Sequence, residues 1–147
     1  MKKDPRNLAL KVLNRIGDGD RTLDGVLEKA ATADAFESRR DRALFNALVY
    51  GVLRWRRKLD HILDHLVDRP LKKIDPRVLD VLRLGLYQIV YLDRVPDSAA
   101  VNTAVNLVRR LPAEWAVGFV NAVLRRAVRE HQQVPFPSGE IRDAASL

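Results

Sequence analysis

The fold is decided by residues 74–92, IDPRVLDVLRLGLYQIVYL. Asp75 followed by Pro76 is a typical helix start, because aspartate caps the free N–H groups and proline fits the first turn. Apolar residues then follow on almost every side of the helix, from Val78 to Val90. A helix that is apolar all round is buried. The stretch therefore predicts a central helix that the rest of the chain surrounds.

The sequence on both sides predicts more helices and no strand. Apolar residues recur three and four positions apart, which is the period of an amphipathic helix. The residues that open these helices are Asp4, Thr22 or Asp24, Glu37 or Ser38, Asp97 or Ser98, and Trp115. One apolar stripe continues through Trp55 to Leu66, and a bend near residues 56–59 stays open although no proline or glycine lies there.

We therefore predict an all-α fold, a bundle of six or seven helices around a central buried helix, over residues 1–130. Residues 131–147 contain two prolines and one glycine and show weak periodicity. This composition is typical of a linker or tail, and we predict one there.

Length and composition exclude several classes of protein. The 147 residues are enough for one domain with a hydrophobic core. The longest uncharged apolar run, residues 84–92, is far too short to span a membrane, and no signal-peptide pattern is present. We expect a cytoplasmic protein with no membrane partner. The sequence has no cysteine, which excludes disulfides, thiolate metal sites and a cysteine nucleophile in this chain.

The formal net charge of +7 favours nucleic acid as the partner. Arginine is far commoner than lysine in this sequence. Arginine is also the better donor to phosphates and base edges. The alternative is a basic excess that only keeps the protein soluble.

Basic residues cluster in three groups. The first is Lys2, Lys3, Arg6, Lys11 and Arg15; the second is Arg39 and Arg40; the third is Arg54, Arg56 and Arg57. The first group has two interpretations: it binds along a phosphate backbone, or it is an ordinary solvated helix face. The second stands at a helix start, where the helix dipole disfavours cations, so a ligand or pairing with Glu37 and Asp41 must explain it. The third surrounds Trp55, which we expect in the core, and Arg56 is placed to pair with Asp60.

Two pairs of aromatic side chains are candidates for a functional site: His61 with His65, and Trp115 with Phe119. His61 and His65 have the i, i+4 spacing of two metal ligands, but this spacing is common by chance and no cysteine completes a site. We therefore predict no metal site. Trp115 and Phe119 would suit stacking on an unpaired base if they were exposed, but core packing is the favoured interpretation.

No catalytic site is predicted. The sequence GDGD at residues 17–20 holds only G-x-G and follows no predicted strand. The acidic pairs Asp60 with Asp64 and Asp75 with Asp80 indicate capping and surface positions. We therefore predict that this chain contains no catalytic residue.

Four stretches together resemble the NusB family of helical RNA-binding domains. They are DRALFNALVYGVLRW (41–55), KLDHIL (58–63), IDPRVLDVLRLGLYQIVYLDRVPDSAAVNTAVNLVRR (74–110) and GFVNAVLRR (118–126). The closer resemblance is to the N-terminal domain of bacterial 16S ribosomal RNA cytosine-5 methyltransferases of the Sun/Fmu type. The standalone transcription antitermination factor of the family typically has asparagine at the position of Trp55.

The resemblance implies an RNA-binding domain that docks a methyltransferase on 16S ribosomal RNA and is not itself an enzyme. S-adenosylmethionine and the cysteine nucleophile would belong to a catalytic methyltransferase domain outside this chain, and no cofactor is expected here. The alternative is a standalone antitermination factor that binds RNA together with a ribosomal protein.

The resemblance also implies roles for individual residues. Family members use the basic first helix for RNA, which corresponds here to the first basic group; the second and third groups are added from charge clustering alone. The antitermination factor uses the segment that corresponds to Phe119, Val120 and Asn121 against a ribosomal protein. Ala122 and Arg125 depart from that pattern and weaken the expectation of such a partner.

Overall fold

A computed structural model describes residues 4–17 and 36–136. The α-helices are α1 (Pro5–Gly17), α2 (Arg39–Arg54), α3 (Arg56–Leu66), α4 (Pro76–Tyr91), α5 (Asp97–Arg109) and α6 (Ala116–Glu130), with single-turn 3₁₀ helices at Leu71–Lys73 and His131–Gln133. No strand occurs in these described ranges, so the all-α prediction is confirmed. The helix predicted from Thr22 or Asp24 and the tail beyond residue 136 lie outside the described residues. None of the described helices is long and apolar enough to cross a membrane.

Helix α4 is the centre of the bundle, as predicted. Each of the other five described α-helices packs against it. Eleven consecutive residues, from Val78 to Gln88, are buried. The core therefore surrounds α4 on every side, in agreement with its nearly continuous apolar sequence.

Three of the predicted helix starts are confirmed by their caps. In each, the side-chain oxygen of Asp4, Ser38 or Asp75 accepts a hydrogen bond from a backbone N–H two or three residues later, at 2.9–3.1 Å. These bonds satisfy N–H groups that have no partner inside the helix.

The predicted cap of α5 is wrong. The helix begins at Asp97, and no side-chain cap bond forms at its start. Pro96 precedes it with φ of −59°, and the Pro96 carbonyl accepts the N–H of Ala100 at 3.0 Å. Because proline already has a φ close to that of a helix, the turn forms without help from Asp97 or Ser98.

The chain bends at Trp55, one residue before the range in which a bend was left open. Trp55 has φ of −106° and ψ of 16°, and it separates α2 from α3. Its ring stacks on Tyr91 at the end of α4, with 5.1 Å between ring centroids and 17° between planes. Trp55 is half-buried and packs against the core. The residue therefore lies at the edge of the core that the sequence predicted for it. Packing against α4, rather than proline or glycine, thus fixes the bend.

Glycine allows two helices to approach α4 closely. A methyl group at Gly51 of α2 would overlap the phenol of Tyr87, and one at Gly85 of α4 would lie 2.5 Å from Cδ1 of Leu124 in α6. Tyr87 is only 8% exposed and its ring lies 5.4 Å from that of Tyr91. The phenol therefore has little room to move aside.

We expect Gly51→Ala to lower the free energy of unfolding by about 1–3 kcal/mol, because overpacking outweighs the better helix propensity of alanine. Urea unfolding followed by circular dichroism measures this. The matched control is Gly118→Ala in α6, where no atom other than those of the adjacent residues and the helix's own backbone lies within 4 Å of the added methyl group. This control should be up to about 1 kcal/mol more stable than the parent. A Gly51→Ala protein as stable as the control would contradict the close contact.

Candidate nucleic-acid interface

A buried ion cluster joins α3 to α4. The guanidinium of Arg83 donates from Nε and Nη2 to the carboxylate of Asp60, at 2.7 and 2.9 Å, and from Nη1 to Asp80 at 3.0 Å. Arg83 is only 6% exposed and Asp80 only 8%. The prediction that Asp80 is a capping or surface carboxylate is therefore wrong, because α4 is enclosed on all sides. Asp60 also takes Arg83, not the predicted Arg56, as its partner.

Burial and charge act in opposite directions in this cluster. Burial raises the pKa of Asp80 above its usual value, and the adjacent Arg83 only partly reverses that rise. Burial lowers the pKa of Arg83, but the hydrogen bonds and charges of Asp60 and Asp80 outweigh it, so the net shift is upward. Arg83 thus stays charged and holds the start of α3 in place, including Arg56 and Arg57.

Arg6 connects the basic first helix to the core. Its Nε donates to Oε1 of Gln88 at 2.8 Å, and Nε2 of Gln88 in turn donates to the carbonyl of Leu84 at 3.0 Å. Gln88 is 1% exposed. Burial lowers the pKa of Arg6, while the carboxylates of Asp4 and Asp41 raise it. Since Asp41 lies in the first turn of α2 and its charge acts on Arg6, the N-terminal ends of α1 and α2 lie near each other.

Arg39 and Arg40 are exposed at this junction. Neither guanidinium belongs to any ion pair found within residues 4–17 and 36–136. Local pairing with Glu37 or Asp41, the alternative explanation from the sequence, is therefore not found. Two arginines thus face solvent at a helix N-terminus, where the dipole favours an anion.

The remaining predicted RNA-binding residues lie along α1 and at the bend. Lys11 and Arg15 are exposed one turn apart on α1, whereas Lys2 and Lys3 lie outside the described residues. The third group, Arg54, Arg56 and Arg57, is exposed around Trp55, and the guanidinium carbon of Arg54 lies 5.1 Å from the centre of the indole ring.

A cleft of about 650 Å³ lies between the C-terminal end of α1 and the bend. Among the residues that line it are Asn14 of α1, Arg56 and Asp60 of α3, and Arg83 of α4. Asn14 and Arg56 thus border the same space. The structure therefore brings the second basic group near the N-terminal end of α1, and Arg56 of the third group near its C-terminal end.

The two histidines fix the segment that follows α6. Nε2 of His61 lies 2.7 Å from the carbonyl oxygen of Pro135, and the His61 ring lies 4.7 Å from the rings of both His65 and Phe136. No group of three or more histidine, aspartate or glutamate residues that could hold a metal ion is found in the part of the chain that the structure describes. The pair serves packing in this structure.

The predicted partner-binding segment is only partly on the surface. Val120 is 0% exposed and belongs to the core, so its side chain is not available to a partner. Phe119 is half-buried beneath the guanidinium of Arg69, which lies 4.7 Å from the ring centre. Asn121 accepts a hydrogen bond from Nε of Arg125 at 3.1 Å.

Sequence reasoning missed two surface features. Trp115 is 55% exposed, which overturns its predicted core position. A groove formed by two pockets that share Asn102 also runs between α5 and α6, and Asn121 and Arg125 contribute to its lining. The only sequence signal for this groove is the helical spacing of single polar residues, which is weaker than a run of arginines.

Comparison with known proteins reveals one matching family and a solved structure with the same fold. The model of the NusB family matches residues 3–129. A solved structure of T. maritima NusB superimposes with a TM-score of 0.76 at 21% identity, covering 92% of this chain and 96% of that one. This likeness concerns the fold.

Curated relatives are considerably longer than this chain. The chain is 40% identical over 128 residues to the probable ribosomal RNA small subunit methyltransferase B of Synechocystis sp., and 37% identical over 131 residues to the ribosomal RNA small subunit methyltransferase B of Pseudomonas putida. The matches cover 87% and 89% of this chain but only 28% and 29% of those proteins.

We expect Arg83→Met to lower the free energy of unfolding at pH 7 by about 3–5 kcal/mol, because the buried Asp80 loses its cation. The unpaired carboxyl should have a still higher pKa in the folded state. A raised folded-state pKa gives stability that is present below the unfolded pKa of about 3.9 and is lost as pH rises through the folded pKa. The loss relative to the parent should therefore be smaller near pH 4 than at pH 7, as measured by urea unfolding at both values.

The control for this experiment is the double variant Arg83→Met with Asp80→Asn. It removes the buried charge, and it should recover stability at pH 7 and lose the added pH dependence. A pH-independent loss in the single variant would show that shape, not the charge of Asp80, governs the effect.

Proposed function

The chain belongs to the NusB family, and on that basis we propose that its basic surface binds ribosomal RNA and holds it for a methyltransferase domain. The observation that carries the proposal is the pair Arg39 and Arg40, which are exposed and outside every ion pair of the described residues. They stand at the start of α2, near the N-terminal end of α1. Cations and helix N-termini both favour phosphate.

The proposed mechanism is positioning of the RNA backbone. Arg6, Arg39 and Arg40 take phosphates at the junction of α1 and α2. Lys11 and Arg15 extend this contact along α1. Such contacts fix the orientation of an RNA on the protein but carry no sequence information themselves. The rigid core beneath Arg6 keeps the surface in one geometry.

The proposal assigns the chemistry to a separate catalytic domain. The relatives are ribosomal RNA small subunit methyltransferase B or its probable counterparts, and this chain spans less than a third of their length. Within a protein of that kind, the catalytic domain would hold S-adenosylmethionine and supply the nucleophile. The present domain would contact that domain and 16S ribosomal RNA in the cytoplasm.

A standalone antitermination factor that acts with a ribosomal protein is the competing proposal. It has less support here, because Val120 is buried and Asn121 is already bonded to Arg125. A ribosomal protein that tightens RNA binding by the isolated chain would favour the competitor.

We expect the 147-residue chain to bind a 16S ribosomal RNA hairpin with a steep salt dependence, measured by fluorescence anisotropy at three salt concentrations. With about five phosphate contacts, log K should fall with log salt at a slope of about −3.5 to −4.5. Replacing both Arg39 and Arg40 by glutamine should weaken binding and reduce the steepness of the slope by about 1.4–1.8.

The matched control replaces two other exposed arginines, Arg109 and Arg110 at the end of α5, by glutamine. It changes the net charge equally and should leave most of the affinity and slope intact. Equal losses in both double variants would reduce the proposal to general electrostatic attraction. An unrelated hairpin of equal length tests preference for the ribosomal sequence, and absence of binding at low salt would reject RNA as the partner.

A further inference from the structure

One face of α2 carries a tyrosine between arginines. At 100° per residue, Arg39, Ala43, Asn46, Tyr50 and Arg54 fall within about 80° of one another around the helix axis. All but the half-buried Asn46 are exposed. We call these five residues the α2 stripe. The sole acidic residue of α2, Asp41, lies on the opposite side of the helix, so the stripe carries positive charge only.

Tyr50 is an unusual residue for this position. It is 50% exposed and is one of three large hydrophobic side chains exposed in the described part of the chain. Its ring forms no aromatic pair there, although Trp55 stacks on Tyr91 and Tyr91 forms a tilted pair with Tyr87. The core therefore does not explain an aromatic residue at position 50.

The neighbours of Tyr50 leave its ring accessible. Arg54 follows one turn later, about 6 Å along the axis, and Arg39 lies about 16 Å back. Between the ring and Arg39, the stripe holds the small Ala43 and the polar Asn46. A flat aromatic surface thus stands between two cations, with low side chains beside it.

We propose that Tyr50 stacks on an unpaired base while Arg39 and Arg54 hold phosphates on either side. A base can reach this ring only where the RNA is unpaired, so the contact at Tyr50 selects a loop or an unpaired end over a duplex. A cationic surface with aromatic platforms is the usual solution for single strands, since the bases of a duplex are already stacked on one another. This inference rests on the proposed RNA-binding function and extends it.

A protein partner fits the α2 stripe less well. Specific protein interfaces involve about 20–30 residues on each side, with an apolar centre. The α2 stripe offers one large apolar side chain, and its neighbours are small, polar or charged. Its charge is complementary to a phosphate backbone.

The test uses the 147-residue chain with a short unstructured RNA and with the same RNA annealed to its complement. Tyr50→Ala should weaken binding to the single strand about 5- to 150-fold, the range for loss of one base–aromatic stack. Binding to the duplex and the salt slope should change little, because no charge is removed. Tyr50→Phe keeps the ring and should bind like the parent.

Two controls separate stacking from other effects. Trp115→Ala removes a similarly exposed aromatic side chain that lies just before α6. Trp115 stands outside the three basic groups that would hold the flanking phosphates, so this variant should leave single-strand affinity unchanged. An RNA with 2-aminopurine at successive positions should show quenching at one position with the parent and Tyr50→Phe, but not with Tyr50→Ala. Because Tyr50 is half-exposed, circular dichroism should be unaltered in its variants, and urea unfolding should show only a small change in stability.

The outcomes distinguish this inference from the proposed function. If the parent binds RNA and Tyr50→Ala binds single strand equally well, the stacking role is rejected and the function stands. An equal loss on single strand and duplex also rejects stacking, and points to a change in the shape of α2. If the parent binds neither RNA, both are rejected.

Discussion

The complete burial of α4 is the constraint on which the rest of the structure depends. Eleven consecutive residues are removed from water, so each polar side chain among them needs a partner from the protein. Arg83 donates hydrogen bonds to Asp60 on α3, and Gln88 accepts one from Arg6 on α1. The helices that supply these partners, α1 and α3, are two of the three helices that carry the basic groups. The need to pair buried polar groups therefore determines where the candidate surface stands.

Much of this architecture is predictable from the sequence, because local signals produce it. The continuous apolar run identifies α4 as the central helix, and aspartate or serine at three helix starts forms the expected caps. The pairing of Asp60 is not predictable in this way. The i, i+4 rule favours Arg56, whereas Arg83 is 23 residues away in sequence and takes Asp60 in the fold. Burial of α4 strengthens that distant pair, and burial is a property of the assembled bundle.

In the candidate surface, too, some features are predictable from the sequence and others are not. Runs of arginine reveal Arg39 and Arg40, whose exposure agrees with their position at a helix start. Tyr50 escapes sequence analysis because it stands between the buried Val49 and Gly51 and looks like part of the apolar stripe. Its exposure follows from the phase of α2 on α4, which the close contact of Gly51 with Tyr87 determines. Trp55 similarly bends the chain without any residue that breaks helices.

The attachment of Arg6 to Gln88 has a consequence for the entropy of binding. A free surface arginine must give up many rotamers when it takes a phosphate, at about 0.5–1.5 kcal/mol for each side chain that is immobilised. Arg6 has already lost that freedom on folding, since its Nε is held by a glutamine that is 1% exposed. Its guanidinium is thus presented in one orientation before any ligand arrives. Part of the side-chain entropy that phosphate binding by Arg6 would otherwise cost is therefore already lost when the core folds.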